Sequence, residues 1–345
     1  MLKRFFLIPL VILSVVGLVV TGCAPAEEPT APAAPAPAAP AAEEGTWPKR
    51  PIEFVIPAGT GGASSVYARM LTAINIKKQY VSQTMLPVNH EGGAGAVGMN
   101  YVMSQKGNGY VIMITLNAFV TTPLFQDLPY TFRDFTGISL LALDNFPLWV
   151  HVNSPWHTWD EFLATAMERE IEVCGTGTKQ EDEIVFRLIE QKTGCKPFHY
   201  IPYKGGADVA KALVGEHHEA NVNQVSEAGS YYPEYLRPLV VFQPNRLNLP
   251  GKLAPLNEVP TGHEVGIDLD YNMMRGIFAA PDISDEARDG LVELFRDIHE
   301  DEEWIVFLEE KGLKRVFITG DELTEFLEDY EAMHKELMMN LGWID

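Results

Sequence analysis

Short apolar runs rich in β-branched and aromatic residues alternate along this chain with segments whose apolar positions recur every three or four residues. IEFVI at 52–56 precedes Val66, Met70, Leu71 and Ile74 at helical spacing; TMLPV at 84–88 precedes a helical stretch over 96–103; YVIMIT occupies 110–115. The alternation returns with strand-like 171–174, helical 184–193, strand-like 198–201, helical 207–214 and strand-like 219–223. This pattern predicts an α/β fold with mostly parallel strands, since a parallel neighbour needs a crossover long enough to hold a helix. The C-terminal part differs. Segments 285–299, 302–311 and 321–341 read as acidic amphipathic helices, expected to return and pack on the first half of the fold.

Two segments at the start fall outside this rhythm. Lys3 and Arg4 precede an apolar run over 5–20, broken by Pro9, Ser14 and Gly17, that is short for a membrane span and suits a secretory leader. It closes on Val20-Thr21-Gly22-Cys23, an ending that resembles the bacterial lipobox. Residues 1–22 are then expected to be removed and Cys23 to carry lipid, which places the rest outside the cytoplasm on a bacterial membrane. Residues 24–46 are a Pro/Ala tract with too little apolar bulk to pack and too much proline for a helix. As a tether at ~3.1 Å per residue it reaches at most ~70 Å.

Residues 47–345 exceed what one core usually holds, so two lobes are expected. The 26 Lys and Arg stand against 47 Asp and Glu, a net charge of -21. The value is about −23 once Lys3 and Arg4 leave with the leader, which excludes nucleic acid as a partner. Net charge does not name the ligand, because a site is set by its local dipoles. Cys174 ends a strand-like run and Cys195 precedes the next one, so the two lie at opposite strand ends. At ~3.3 Å per strand residue that separation argues against a disulfide.

Glycine-rich turns follow the predicted strands at 59–62, 92–95, 175–177 and 205–206. Ligands of open α/β sheets sit beyond the carboxyl ends of the strands, where amides at helix starts are free, so four such turns imply one shared cleft. The stretch 93–98 satisfies G-x-G-x-x-G, yet Asn117 and Ala118 stand where a ribose-binding acid is needed, and a tight turn is the favoured reading. The stretch 59–65 lacks the Gly-Lys-Ser/Thr ending of a nucleotide loop. Its glycines with Ser64 or Ser65 make an anion nest or an ordinary helix cap, and the residues leave both open. His90-Glu91 lacks a second histidine at metal-binding spacing, and His217-His218 sits in a polar turn, so no metal or cofactor is expected. There is no G-x-S-x-G and no carboxylate pair. Nothing assembles into catalytic machinery, and the chain is not expected to be an enzyme.

WPKRPIEFVIPAGTGGASSVYAR, VNHEGGAGAVG, GNGYVIMI, LPYTFRDFTGIS, GTGT, IPYKGGADVAKALVGEHHEA, LRPLVVF, EVPTGHEVG and RGIFAAP follow one another in this chain. In that order they resemble the extracytoplasmic solute receptors of tripartite tricarboxylate transporters, the TctC-like or Bug family, over 47–345. The resemblance implies a two-lobed periplasmic-binding-protein fold of type II with an interlobe cleft. Lobe 1 would comprise 47–149 and 272–345, and lobe 2 would be 150–271. It implies ligand contacts from Thr60, Gly61, Gly62, Ala63, Ser64, Ser65, Asn117 and Phe119 in the first lobe. The second would offer Gly175, Thr176, Gly177, Thr178, Lys204, Gly205, Gly206, Asn223, Gln224 and Ser226. Gly61 and Gly62 are expected to allow close approach or positive φ. Lys204 is either an electrostatic partner of the ligand or half of a hinge ion pair. The implied partners are a small organic anion and a two-component membrane permease. The membrane is reached through lipid on Cys23, and the chain acts as a monomer. The alternative is a ligand-sensing receptor coupled to a sensor kinase. The chain departs from the family at Ser65, usually Asp, at Thr60, usually the loop proline, and at Asn108 and Asn221, usually aspartates.

Overall fold

Strand β1 (Ile52–Ile56) is apolar at every position but Glu53 because helices cover both faces of its sheet. In this computed structural model, which describes residues 47–60 and 62–345, Ile52, Phe54 and Ile56 pack on Tyr67, Leu71 and Ile74 of α1 (Ala63–Lys78). Val55, pointing the other way, meets Met99 and Val102 of α2 (Ala96–Met103). The leader, the tether with Cys23, and Gly61 lie outside the described residues. The same alternation of helix and strand continues through β2 (Met85–Asn89), β3 (Val111–Thr115), α3 (Ala118–Gln126) and β4 (Thr136–Asn145).

The chain then builds a second sheet. Its elements are β5 (Pro147–His151), α4 (Trp159–Glu168), β6 (Glu172–Thr176), α5 (Glu181–Thr193), β7 (His199–Tyr203), α6 (Gly206–Val214), β8 (Ala220–Asn221), α7 (Val225–Ala228) and β9 (Leu236–Val241). It returns with β10 (Asn272–Ala279), α8 (Asp285–Glu300), α9 (Glu302–Lys311), β11 (Lys314–Ile318) and α10 (Gly320–Asn340). Strand order is β11-β4-β10-β3-β1-β2 in the first sheet and β7-β6-β8-β5-β9 in the second.

Both sheets are mixed, which corrects the expectation of mostly parallel strands. Five of the nine pairings between the described strands are antiparallel. The parallel pairs, β1 with β2 and β3 and β6 with β7 and β8, are those joined through helices. The antiparallel ones involve β5, β10 and β11, which no such helical crossover constrains. Residues 147–149, grouped with the first lobe in the sequence-based division, belong to β5 and pair with β9 and β8. The first passage between sheets therefore falls at the buried Phe146.

The C-terminal helices do more than return to the first sheet. Leu291, Leu294, Phe295 and Ile298 of α8 join the core around β1 and α1. Leu323, Leu327 and Tyr330 of α10 join the core on the opposite face. The last turn of α10 departs from the expectation. Leu337 and Met338 join the core of the second sheet, with Leu341, Trp343 and Ile344 packed against it. A helix of 21 residues, ~30 Å long, reaches both. Cys174 and Cys195 are free and buried, and burial pushes the Cys174 thiol up to about 12. No helix among the described residues is long and apolar enough to cross a membrane.

Candidate functional site

The four glycine-rich turns follow β1, β2, β6 and β7, at the carboxyl ends of the parallel strands, and all four contribute to the wall of one cavity of about 800 Å³. The stretch at 93–98 is a short turn running into α2. A Cβ at Gly98 would come 2.7 Å from that of Pro57, so the third glycine of the G-x-G-x-x-G pattern serves close packing.

From the first sheet, Thr60, Gly62, Ala63, Ser64 and Phe119 line the cavity. Gly62 is the N-cap of α1, with φ −70, and a Cβ there would find its nearest neighbour, Gly59 O, at 3.7 Å. The expectation of positive φ or a forbidden Cβ is therefore corrected at Gly62. The hydroxyl of Ser64 is buried with no hydrogen-bond partner among the described residues. Ser65 is buried away from the cavity and accepts from Arg69 Nε at 3.3 Å. Asn117 is likewise behind the wall. Its Nδ2 donates to Asn272 O at 3.2 Å and its Oδ1 accepts from Met274 N at 2.9 Å, which clamps α3 to β10.

From the second sheet, Thr176, Gly177, Lys204, Gly205, Gly206 and Gln224 line the same cavity, whereas Gly175, Thr178, Asn223 and Ser226 do not. Much of the Gly175–Gln180 loop is satisfied internally. Thr176 N donates to Asp182 Oδ2 at 2.7 Å, Gly177 N to Tyr203 O at 2.8 Å and Lys179 N to Glu183 Oε2 at 2.7 Å. Asn223 Nδ2 donates to Gly206 O at 2.7 Å and so holds the start of α6. Ser226 Oγ donates to Asp144 Oδ2 at 2.8 Å across the two sheets. Lys204 is exposed and forms no ion pair among the described residues. Among the described residues no group of histidine, cysteine or acidic side chains could hold a metal; His218 instead pairs with Glu172 at 2.9 Å and Tyr203 at 2.8 Å.

Residues 68–343 match the family described as the tripartite tricarboxylate transporter family receptor. The chain belongs to this family. Among its relatives, the receptor is 24% identical over 314 residues to the UPF0065 protein in the gbd 5′ region of Cupriavidus necator, covering 87% of this chain and 90% of that one. The crystal structure of a TctC solute binding protein from Polaromonas is 27% identical with TM-score 0.69, covering 86% of this chain and 100% of that one. A Rhodopseudomonas palustris protein solved with adipate is 21% identical with TM-score 0.76, covering 86% of this chain and 98% of that one. The receptor thus has the periplasmic-binding-protein fold its sequence suggested.

The receptor's cavity also carries charges that sequence reading missed. Arg275, on β10 and 2% exposed, lines it and donates through Nη2 to the buried Asp144 at 2.7 Å. Its guanidinium lies 4.6 Å above the ring centre of Tyr67. Glu181 and Glu227 line the cavity too, and burial pushes both carboxyls up. Asp182, one residue along, is pushed up to about 7 by burial; its Oδ1 has no partner among the described residues. A signal existed for Arg275, a lone cation in the apolar run MMRGIFAA. The acids 181–183 carried no such signal, since acidic residues are ordinary in a first helical turn.

Proposed function

We propose that this chain is the lipid-anchored extracytoplasmic binding component of a tripartite tricarboxylate-type transporter, capturing a small carboxylate-bearing solute for a two-component permease. The carrying observation is that four glycine turns, two from each sheet, converge on one cavity where parallel strands end and helices begin. The adipate bound to the Rhodopseudomonas neighbour supports the ligand class. The solute's carboxylate meets Lys204 and the turn that starts α6. Lobe 1 comprises the elements of the first sheet and lobe 2 those of the second, with hinges near Phe146 and Tyr271. The lobes close because the solute touches both only in the closed state, which is the differential affinity that closure requires. Each charge-assisted hydrogen bond nets ~1.5–3 kcal/mol, so three or four support the ~8 kcal/mol of micromolar binding after association costs.

The test is native mass spectrometry of solute carried through gentle purification, followed by calorimetry with that compound. A carboxylic acid is expected. A neutral sugar or a metal ion in its place refutes the ligand class. For the anchor, Cys23→Ser is expected to abolish fatty-acid labelling and leave the leader uncut; wild-type labelling in that variant ends the lipoprotein reading.

A further inference from the structure

The buried charges around the cavity do not suit a dicarboxylate. Arg275 is the one buried cation in its wall, and it interacts with three carboxylates, those of Asp144, Glu181 and Glu227. That leaves a local excess of negative charge in a region of low dielectric, where the solute's own charge matters most.

Helix starts, which would ordinarily offset a bound anion, are already opposed by the protein's own acids. Glu181 Oε1 accepts from Ala118 N at 3.2 Å, at the start of α3. Glu227 faces the Ala63 amide at the start of α1. It also packs on Gly206 at the start of α6, where a Cβ would lie 2.8 Å from the Glu227 Cδ. In both cases an acid from the second sheet's helices reaches a helix of the first sheet, so the anion-binding potential of α1 and α3 is spent within the chain. By contrast the cavity's lysines, Lys204 and Lys211, are exposed, and Lys211 is 3.9 Å from Asp208. Positive side chains are therefore exposed and negative ones buried. The buried Ser64 hydroxyl, without a partner on this same wall, is a further group poised for a polar solute.

Building on the carboxylate-receptor reading, we infer that the solute carries a cationic nitrogen as well as its carboxylate, and that this nitrogen seats against Glu181 and Glu227. The chemical class is an amino-carboxylate, bound with its carboxylate toward Lys204 and its ammonium inward. A charged ammonium offers donors to both carboxylates and restores charge balance around Arg275, which a second carboxylate cannot do.

Calorimetry on the full protein at pH 7 with length-matched probes tests this: 6-aminohexanoate against adipate, L-glutamate against glutarate, L-aspartate against succinate, and 1,6-diaminohexane. At least one amino-carboxylate is expected to bind tenfold or more tightly than its matched dicarboxylate. Glu181→Gln is expected to shrink that ratio at least tenfold, and Glu227→Gln serves if the first variant fails to fold. Dicarboxylates that bind as tightly as their amino partners, or more tightly as pH falls to 5, overturn the inference while the carboxylate reading stands. In that case the two acids act as protonated donors. Binding of 1,6-diaminohexane alone overturns the carboxylate reading and leaves the cationic seat. Binding of none of the probes at millimolar concentration counts against both.

Discussion

The loops that lead into α1 and into α5 look alike in sequence, each a Gly-Thr-Gly-type turn running from a strand into a helix. They differ in what meets their amides. Helix α1 has no acid in its first turn, and its start faces Glu227 from the other sheet. Helix α5 has Glu181, Asp182 and Glu183 there; Asp182 and Glu183 fold back onto Thr176 N and Lys179 N of their own loop. A glycine turn before a helix is thus an open anion nest only when the first helical turn brings no carboxylate of its own. The α5 loop is held rigid by its helix, and the α1 loop remains dependent on what crosses the cleft.

The sharpest way to break this contrast is Asp182→Ala. It strands two buried donors of Thr176, its amide and its Oγ1 at 3.0 Å, and is expected to cost about 3 kcal/mol of stability by urea titration. Solute affinity measured well below the melting temperature should stay within about threefold. Unchanged stability would mean the loop does not rest on its helix.

A gentler version titrates the same carboxyl. Burial raises Asp182 from 3.8 to about 7, so the folded chain holds a proton that the unfolded chain releases. Its contribution to stability falls as pH rises from about 4 to about 7, with a slope of up to about 1.4 kcal/mol per pH unit, and is flat above. Comparing urea midpoints of wild type and Asp182→Asn between pH 5 and pH 8 isolates that slope. Equal slopes would remove the proton from Asp182.

On the α1 side the effects belong to binding. Ser64→Ala removes a hydroxyl that has no protein partner, so stability should hold while solute affinity drops by about 0.5–1.5 kcal/mol. An affinity unchanged by calorimetry would return Ser64 to a purely structural place. The smallest change is expected from Lys204→Ala, about 0.2–1 kcal/mol of affinity for an exposed charge. That loss should shrink as salt is raised, and a loss independent of ionic strength would place the lysine's contribution in packing.

Much of this architecture was legible because helix-linked strands write two periods into the sequence. The helical segments 96–103 and 302–311 coincide with α2 and α9. What stayed hidden is directional. The run NMMRGIFA of β10 is buried on both faces, and such a run carries no sign of whether its neighbours are parallel. The cavity was foreseeable from glycine turns at strand ends, which depend on local backbone. Contacts such as Glu227 to Ala63, or Asn117 to β10, depend on where separate segments meet, and composition around each residue is silent about that.

The route of the backbone has a practical corollary. It passes between the sheets at Phe146, returns before Asn272, and passes once more at the far end of α10. An odd number of passages leaves the ends of the folded part on opposite halves. Trp47 rests 6.0 Å from Tyr110 and against Gly290 on the first, while the Trp343 carbonyl accepts from Lys179 Nζ at 3.3 Å on the second. Fluorophores placed at these two ends would therefore bracket the cleft, and their energy transfer would serve as a ruler for its opening without labelling any residue of the cavity.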